Sequence, residues 1–144
     1  MIRVLHDILV ELYNKADKPF SGIGLLVCDD VKGLPLFSLY KSNTIFSNES
    51  LLERLMELTD YKNKFHDGFH VLSTSLEITH TSQYFYPKPT TEVSLDVSQG
   101  HGVRYFVAKA GSKIPNVLYT AIVGGNYGVC IFKNGQEIKV GQNN

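Results

Sequence analysis

The chain has 144 residues, of which 43% are apolar and 19% charged, and its basic and acidic side chains balance at fourteen each. This composition supports one folded domain over residues 1–144 and excludes a disordered chain. The neutral balance argues against a nucleic-acid binder, which carries a basic excess. No apolar run approaches the ~20 residues of a membrane span. Cys28 and Cys130 lie far apart in apolar runs, which favours buried reduced thiols and a cytoplasmic location.

The first half of the chain predicts a helix, two strands and a second helix. Leucine and isoleucine at helical spacing predict the first helix near the N-terminus. The apolar run Ile23 to Cys28 predicts a buried strand, and Pro35 to Tyr40 predicts the next one. The second helix is predicted from Glu49 to Thr59, with Ser47 or Asn48 capping its free N–H groups.

The second half predicts five strands around a third helix. This helix follows Gly102 and ends near Gly111, because glycine favours helix ends. Two prolines predict an irregular loop over residues 84–89. The strands are predicted at Phe69 to Ser73, Glu77 to Ser82, Leu118 to Val123, Val129 to Phe132 and Gln136 to Val140. The resulting order predicts an α/β (α+β) fold, with a single mixed sheet flanked by helices.

Two segments are candidates for chemistry. Asp67 and Gly68 come at the start of a predicted strand, where a carboxylate suits a divalent metal or a ribose hydroxyl and glycine lets a ligand approach the backbone. Gly100 and Gly102 precede the third helix, whose free N–H groups form an anion site to which Arg104 adds a charged fork. Each segment alone is more typical of an ordinary turn or glycine-rich loop than of a ligand site.

The two segments carry a longer ordered pattern. His66-Asp67-Gly68-Phe69 follows a His-Asp-Gly-Ala motif except at its last residue, and Gly102, Arg104 and Ala108 match a later Gly-Thr-Arg-His-Arg-Ala-Ala segment. Residues 128–135 match a closing strand and Asn-Gly turn. With these motifs, residues 22–138 resemble the diadenylate cyclase domain family, whose members join two ATP molecules into cyclic di-AMP.

Other family positions differ. Tyr105 and Phe106 stand where the motif has its His and second Arg, and residues 123–126 lack the two acids of a Val-Ser-Glu-Glu segment. The resemblance implies that Asp67 works with a magnesium or manganese ion and is catalytic if the chain is active. It also implies that His66, Gly68, Gly100, Gly102 and Arg104 lie at the bound nucleotide. Tyr105 is expected either to stack on a base or to fill part of the pocket.

Three functions remain open at this point. The retained motifs beside the lost ones favour a non-catalytic sensor of a nucleotide or cyclic dinucleotide. An active diadenylate cyclase is the alternative, and it would work as a homodimer because the family needs two sites face to face. The third is a structural or interaction domain whose ancestral pocket has become core. None of the three involves a membrane or nucleic acid.

Overall fold

The computed structural model describes residues 1–16, 20–40, 49–88 and 102–140. Within these ranges the chain forms three helices and seven strands in the predicted order. The helices are α1 (Ile2–Lys15), α2 (Leu51–Leu58) and α3 (Gly102–Gly111). The strands are β1 (Ile23–Val27), β2 (Leu36–Ser38), β3 (Phe69–Leu72), β4 (Ile78–Phe85), β5 (Tyr119–Gly124), β6 (Gly128–Lys133) and β7 (Gln136–Ile138). The longest helix, α1, has 14 residues, which is too short for a bilayer span.

The seven strands form one mixed sheet in the order β2-β4-β3-β1-β5-β6-β7. Its parallel pair is β1 with β3, in which Gly24 lies opposite Phe69. On its other side β1 pairs antiparallel with β5, with Ile23 opposite Val123. The predicted fold class is therefore confirmed.

Helices cover both faces of this sheet. Alternation along β1 sends Leu25 into a core cluster with α1 and α2, and sends Leu26 into a second cluster with α3. Because β1 is central, all five of its residues are buried. The two cysteines are free, buried thiols, as predicted. Burial raises the pKa of both, that of Cys130 to about 12, so neither forms a thiolate near neutral pH.

The start of the second helix and the end of the fourth strand differ from the prediction. The second helix begins at Leu51, and its cap is Ser50, whose hydroxyl accepts a hydrogen bond from the Glu53 backbone N–H. The expected caps at positions 47 and 48 lie outside the described residues. Strand β4 continues to Phe85 instead of ending before residue 84. Phe85 is buried against Phe69, and this contact holds the strand in the sheet up to the first proline.

Candidate functional site

The site candidate lies where three strand ends meet. Since β1 and β3 are parallel neighbours, Gly22 and Asp67, which precede them, come to the same edge of the sheet. Strand β5 runs the opposite way and brings its last residue, Gly124, to this edge. We call the strand-end site the set of residues Ser21, Gly22, Asp67, Gly68, Arg104 and Gly124 to Tyr127.

Asp67 presents an exposed carboxylate at this edge. Its side chain is 63% exposed, and its Oδ1 lies 3.4 Å from Nε2 of His66, which is itself 24% exposed. The following residue, Gly68, has a φ of +82°. A Cβ at Gly68 would lie 2.6 Å from the carbonyl oxygen of Gln83 in β4. The backbone conformation and the close approach of β4 therefore require glycine at position 68, whether or not a ligand binds.

Arg104 reaches the same edge from the first turn of α3. Its Nη1 donates a hydrogen bond to the carbonyl oxygen of Ser21 at 3.2 Å. A Cβ at Gly22 would lie 2.6 Å from this nitrogen and 3.0 Å from the carbonyl oxygen of Val123. The missing side chain at Gly22 therefore makes the space in which the guanidinium lies.

Asp67 and the guanidinium of Arg104 thus lie at one edge, because Asp67 precedes β3 and Arg104 reaches from α3 to Ser21, which precedes the neighbouring strand β1. Gly102, the exposed first residue of α3, has a φ of +76° with open space around it. Gly100 lies outside the described residues. His66 and Gly68 lie just before β3, and Gly102 begins α3 two residues before Arg104.

Tyr105 turns into the core instead. It is 8% exposed and belongs to the cluster on the α3 face of the sheet. Its ring meets that of Phe132 edge-on, with the centroids 5.0 Å apart, and its hydroxyl donates to Oε1 of Glu137 at 3.3 Å. Of the two expected roles, this geometry favours filling the former pocket over stacking on a base.

Tyr127 is the residue at this edge that sequence reasoning missed. Its ring lies over Gly124, so close that a Cβ there would be 2.8 Å from the hydroxyl oxygen. Arg104 lies close to that hydroxyl and lowers its pKa, although burial raises this pKa by more. A large aromatic two positions after a Gly-Gly pair was the available signal, since paired glycines leave room for a ring to lie on the backbone.

Asp67 is the single carboxylate of the strand-end site. Among the described residues, no group of three His, Cys, Asp or Glu side chains is arranged to hold a metal ion. Two clefts of about 470 and 530 Å³ lie elsewhere, one at the opposite ends of β1 and β3 and the other beside the C-terminal end of α3. Neither of these two clefts includes Asp67 or Arg104.

His70 lies one strand position inside this edge and is fully buried. Its Nδ1 accepts a hydrogen bond from the Ser82 backbone N–H at 3.0 Å, which puts the ring proton on Nε2. That nitrogen has no hydrogen-bond partner among the described residues. Burial, and after it the charge of Arg104, lowers the pKa of His70 to about 3. The ring is therefore neutral at ordinary pH.

We expect His70 to make folding sensitive to acid. Because its pKa is lower in the folded chain than in the unfolded one, the unfolded chain binds the extra proton first. The free energy of unfolding should stay level above pH 6.5 and fall as the pH drops towards 3, by at most about 1.4 kcal/mol per pH unit from this residue. Urea unfolding of the wild type and of His70→Gln at several pH values measures this dependence of the unfolding free energy on pH. Equal slopes for the two proteins would contradict the assignment.

Comparison with known proteins supports the architecture. No protein-family model matches the chain, and no curated protein matches its sequence. Its structure is similar to the crystal structure of a double mutant of the diadenylate cyclase DacA from Staphylococcus aureus, with a TM-score of 0.65. The two sequences are 16% identical, and the match covers 95% of this chain and 83% of the other. The chain has a diadenylate cyclase-like fold.

Proposed function

We propose that residues 1–144 form a diadenylate cyclase-like domain that binds a nucleotide or cyclic dinucleotide as a sensor and does not turn it over. The observation that supports this most is that Asp67, which precedes β3, and the guanidinium of Arg104, bound to Ser21 before β1, lie at the same edge of the sheet. The carboxylate suits a ribose hydroxyl, and the guanidinium suits a phosphate. Together they match the two kinds of polar group that a nucleotide offers.

Phosphoryl transfer depends on positioning the reacting groups and on neutralising their negative charge. A site with few cationic groups is therefore expected to bind a nucleotide without turning it over. Among the described residues, Arg104 is the single formal positive charge of the strand-end site, and Tyr105 lies in the core where a further donor would be needed. Loss of one such donor costs about 2–4 kcal/mol of transition-state binding. The missing His, Arg and acid positions together leave too little stabilisation for a useful rate.

Titration calorimetry with cyclic di-AMP, AMP and ATP tests binding. We expect the wild type to bind at least one of them and Arg104→Gln to weaken that binding tenfold or more, since a charge-assisted hydrogen bond is worth about 1.5–3 kcal/mol. Arg3→Gln is the matched control, because Arg3 is an exposed arginine on α1, which packs on the other face of the sheet.

Flat heats with all three nucleotides, from protein shown to be folded, would remove the proposal. A structural role would then explain Arg104 through its bond to the Ser21 carbonyl, and Arg104→Gln would lower stability alone. Incubation with ATP and manganese followed by mass spectrometry addresses turnover separately. Formation of cyclic di-AMP by the wild type, lost in Asp67→Asn, would show an active cyclase instead of a sensor.

A further inference from the structure

Tyr127 offers a hydrogen-bond donor at the strand-end site. Its ring is seated on Gly124 and meets Tyr105 edge-on, with the centroids 6.3 Å apart. A guanidinium has donors alone, so the neighbouring Arg104 leaves the hydrogen of the Tyr127 hydroxyl for another partner. Burial raises the pKa of this hydroxyl further than Arg104 lowers it. The hydroxyl therefore remains a donor in neutral solution.

The formal charge at the site is small. Arg104 contributes one positive charge and Asp67 one negative charge, and the end of β5 with its turn, residues 124–127, contributes none. The ammonium of Lys64 lies over the Phe65 ring, 4.9 Å from its centroid. A triphosphate carries several negative charges, which sites of phosphoryl transfer neutralise with metal ions and several cations. The strand-end site matches a ligand group of one negative charge better.

The residues present offer a resident metal few ligands. Magnesium is held by one or two carboxylates, with the phosphates completing its shell. Among the described residues of the site, the exposed Asp67 is the one carboxylate, and the positions at the end of β5 hold Gly124, Gly125 and Asn126. The site therefore has the minimum of one carboxylate for a magnesium or manganese ion and lacks the two acids that the family pattern places at the end of β5.

We infer that the strand-end site takes the singly charged phosphodiester of a cyclic dinucleotide without a metal ion, and that Tyr127 determines this specificity. The guanidinium of Arg104 pairs with one phosphate oxygen, and the Tyr127 hydroxyl donates to the other. Asp67 faces a ribose hydroxyl. This inference rests on the proposed function. It adds the charge of the ligand's phosphate group and names Tyr127 as the residue that distinguishes it.

Calorimetry with cyclic di-AMP and with ATP, each in magnesium and in a chelator, tests the inference. We expect the affinity for cyclic di-AMP to agree within about twofold in the two buffers, and ATP to bind at least about tenfold more weakly. Tyr127→Phe keeps the ring over Gly124 and should weaken cyclic di-AMP binding by about fivefold to tenfold. Tyr13→Phe, which changes an exposed tyrosine on α1, should leave it unchanged.

Binding that needs magnesium, or a preference for ATP, would overturn the inference and leave the proposed function standing. An unchanged affinity in Tyr127→Phe would remove the role of this hydroxyl. Absence of binding to every nucleotide by the folded wild type would overturn both. Circular dichroism of each variant establishes that a lost affinity is not a lost fold.

Discussion

Replacing Gly68 with alanine should destabilise the chain by about 2–4 kcal/mol. Two costs combine at this position. Residues that carry a Cβ adopt a φ of +82° only with backbone strain. The new methyl group would also lie 2.6 Å from the Gln83 carbonyl oxygen. A backbone atom of β4 cannot move aside without disturbing the pairing of β3 with β4. Equilibrium unfolding in urea measures the loss.

Gly33→Ala separates the two costs. Gly33 has the same φ of +82°, but a Cβ there would meet nothing within 4 Å. Its substitution should therefore cost about 1–2 kcal/mol from the left-handed backbone alone. If both variants lose the same free energy, the close approach of Gly68 to Gln83 contributes nothing. The turn after Asp67 would then be held by its dihedral angles rather than by the neighbouring strand.

Truncating Tyr105 to alanine should cost about 3–5 kcal/mol, as for other large aromatic side chains of a core. The ring is 8% exposed and packs edge-on against Phe132, which is fully buried. Tyr105→Phe keeps the ring and removes one long hydrogen bond to Glu137, so it should cost about 1 kcal/mol or less. Urea unfolding of the two variants beside the wild type measures both values.

Phe106→Ala is the matched control, because this neighbouring aromatic is half-buried and lies outside both core clusters. It should lose clearly less stability than Tyr105→Ala. A Tyr105→Ala variant that stays stable but no longer binds a nucleotide would contradict the core assignment. In that case the ring would act on a ligand base, which is the other role that the sequence leaves open.

The order of helices and strands could be predicted because each element carries a local signal. The continuous apolar run of β1 predicts a strand buried on both faces, and all of its residues are buried. The end of β4 was missed because the prolines outweighed the alternation of exposed Tyr84 with buried Phe85. Phe85 stays in the strand through its contact with Phe69. Because Phe69 lies 16 positions away in the chain, the local sequence around Phe85 does not indicate this contact.

The candidate site was predictable in part for the same reason. Asp67 and Arg104 belong to short motifs that can be recognised as a resemblance. Tyr127 carries no motif, and its role depends on a ring lying over Gly124 and beside Arg104. Tyr105 occupies a motif position, yet its direction into the core follows from how α3 packs on β5 and β6.

The sequence by itself determined the element order and the fold class, because periodicity and turn chemistry act over a few residues. Only the tertiary structure decided which residues share the strand-end site. Asp67 and Arg104 are 37 positions apart in the chain, and they lie at one edge because β3 is parallel to β1 and the Arg104 side chain reaches from α3 to the Ser21 carbonyl. Strand pairing and helix packing set such distances, and no local pattern encodes them.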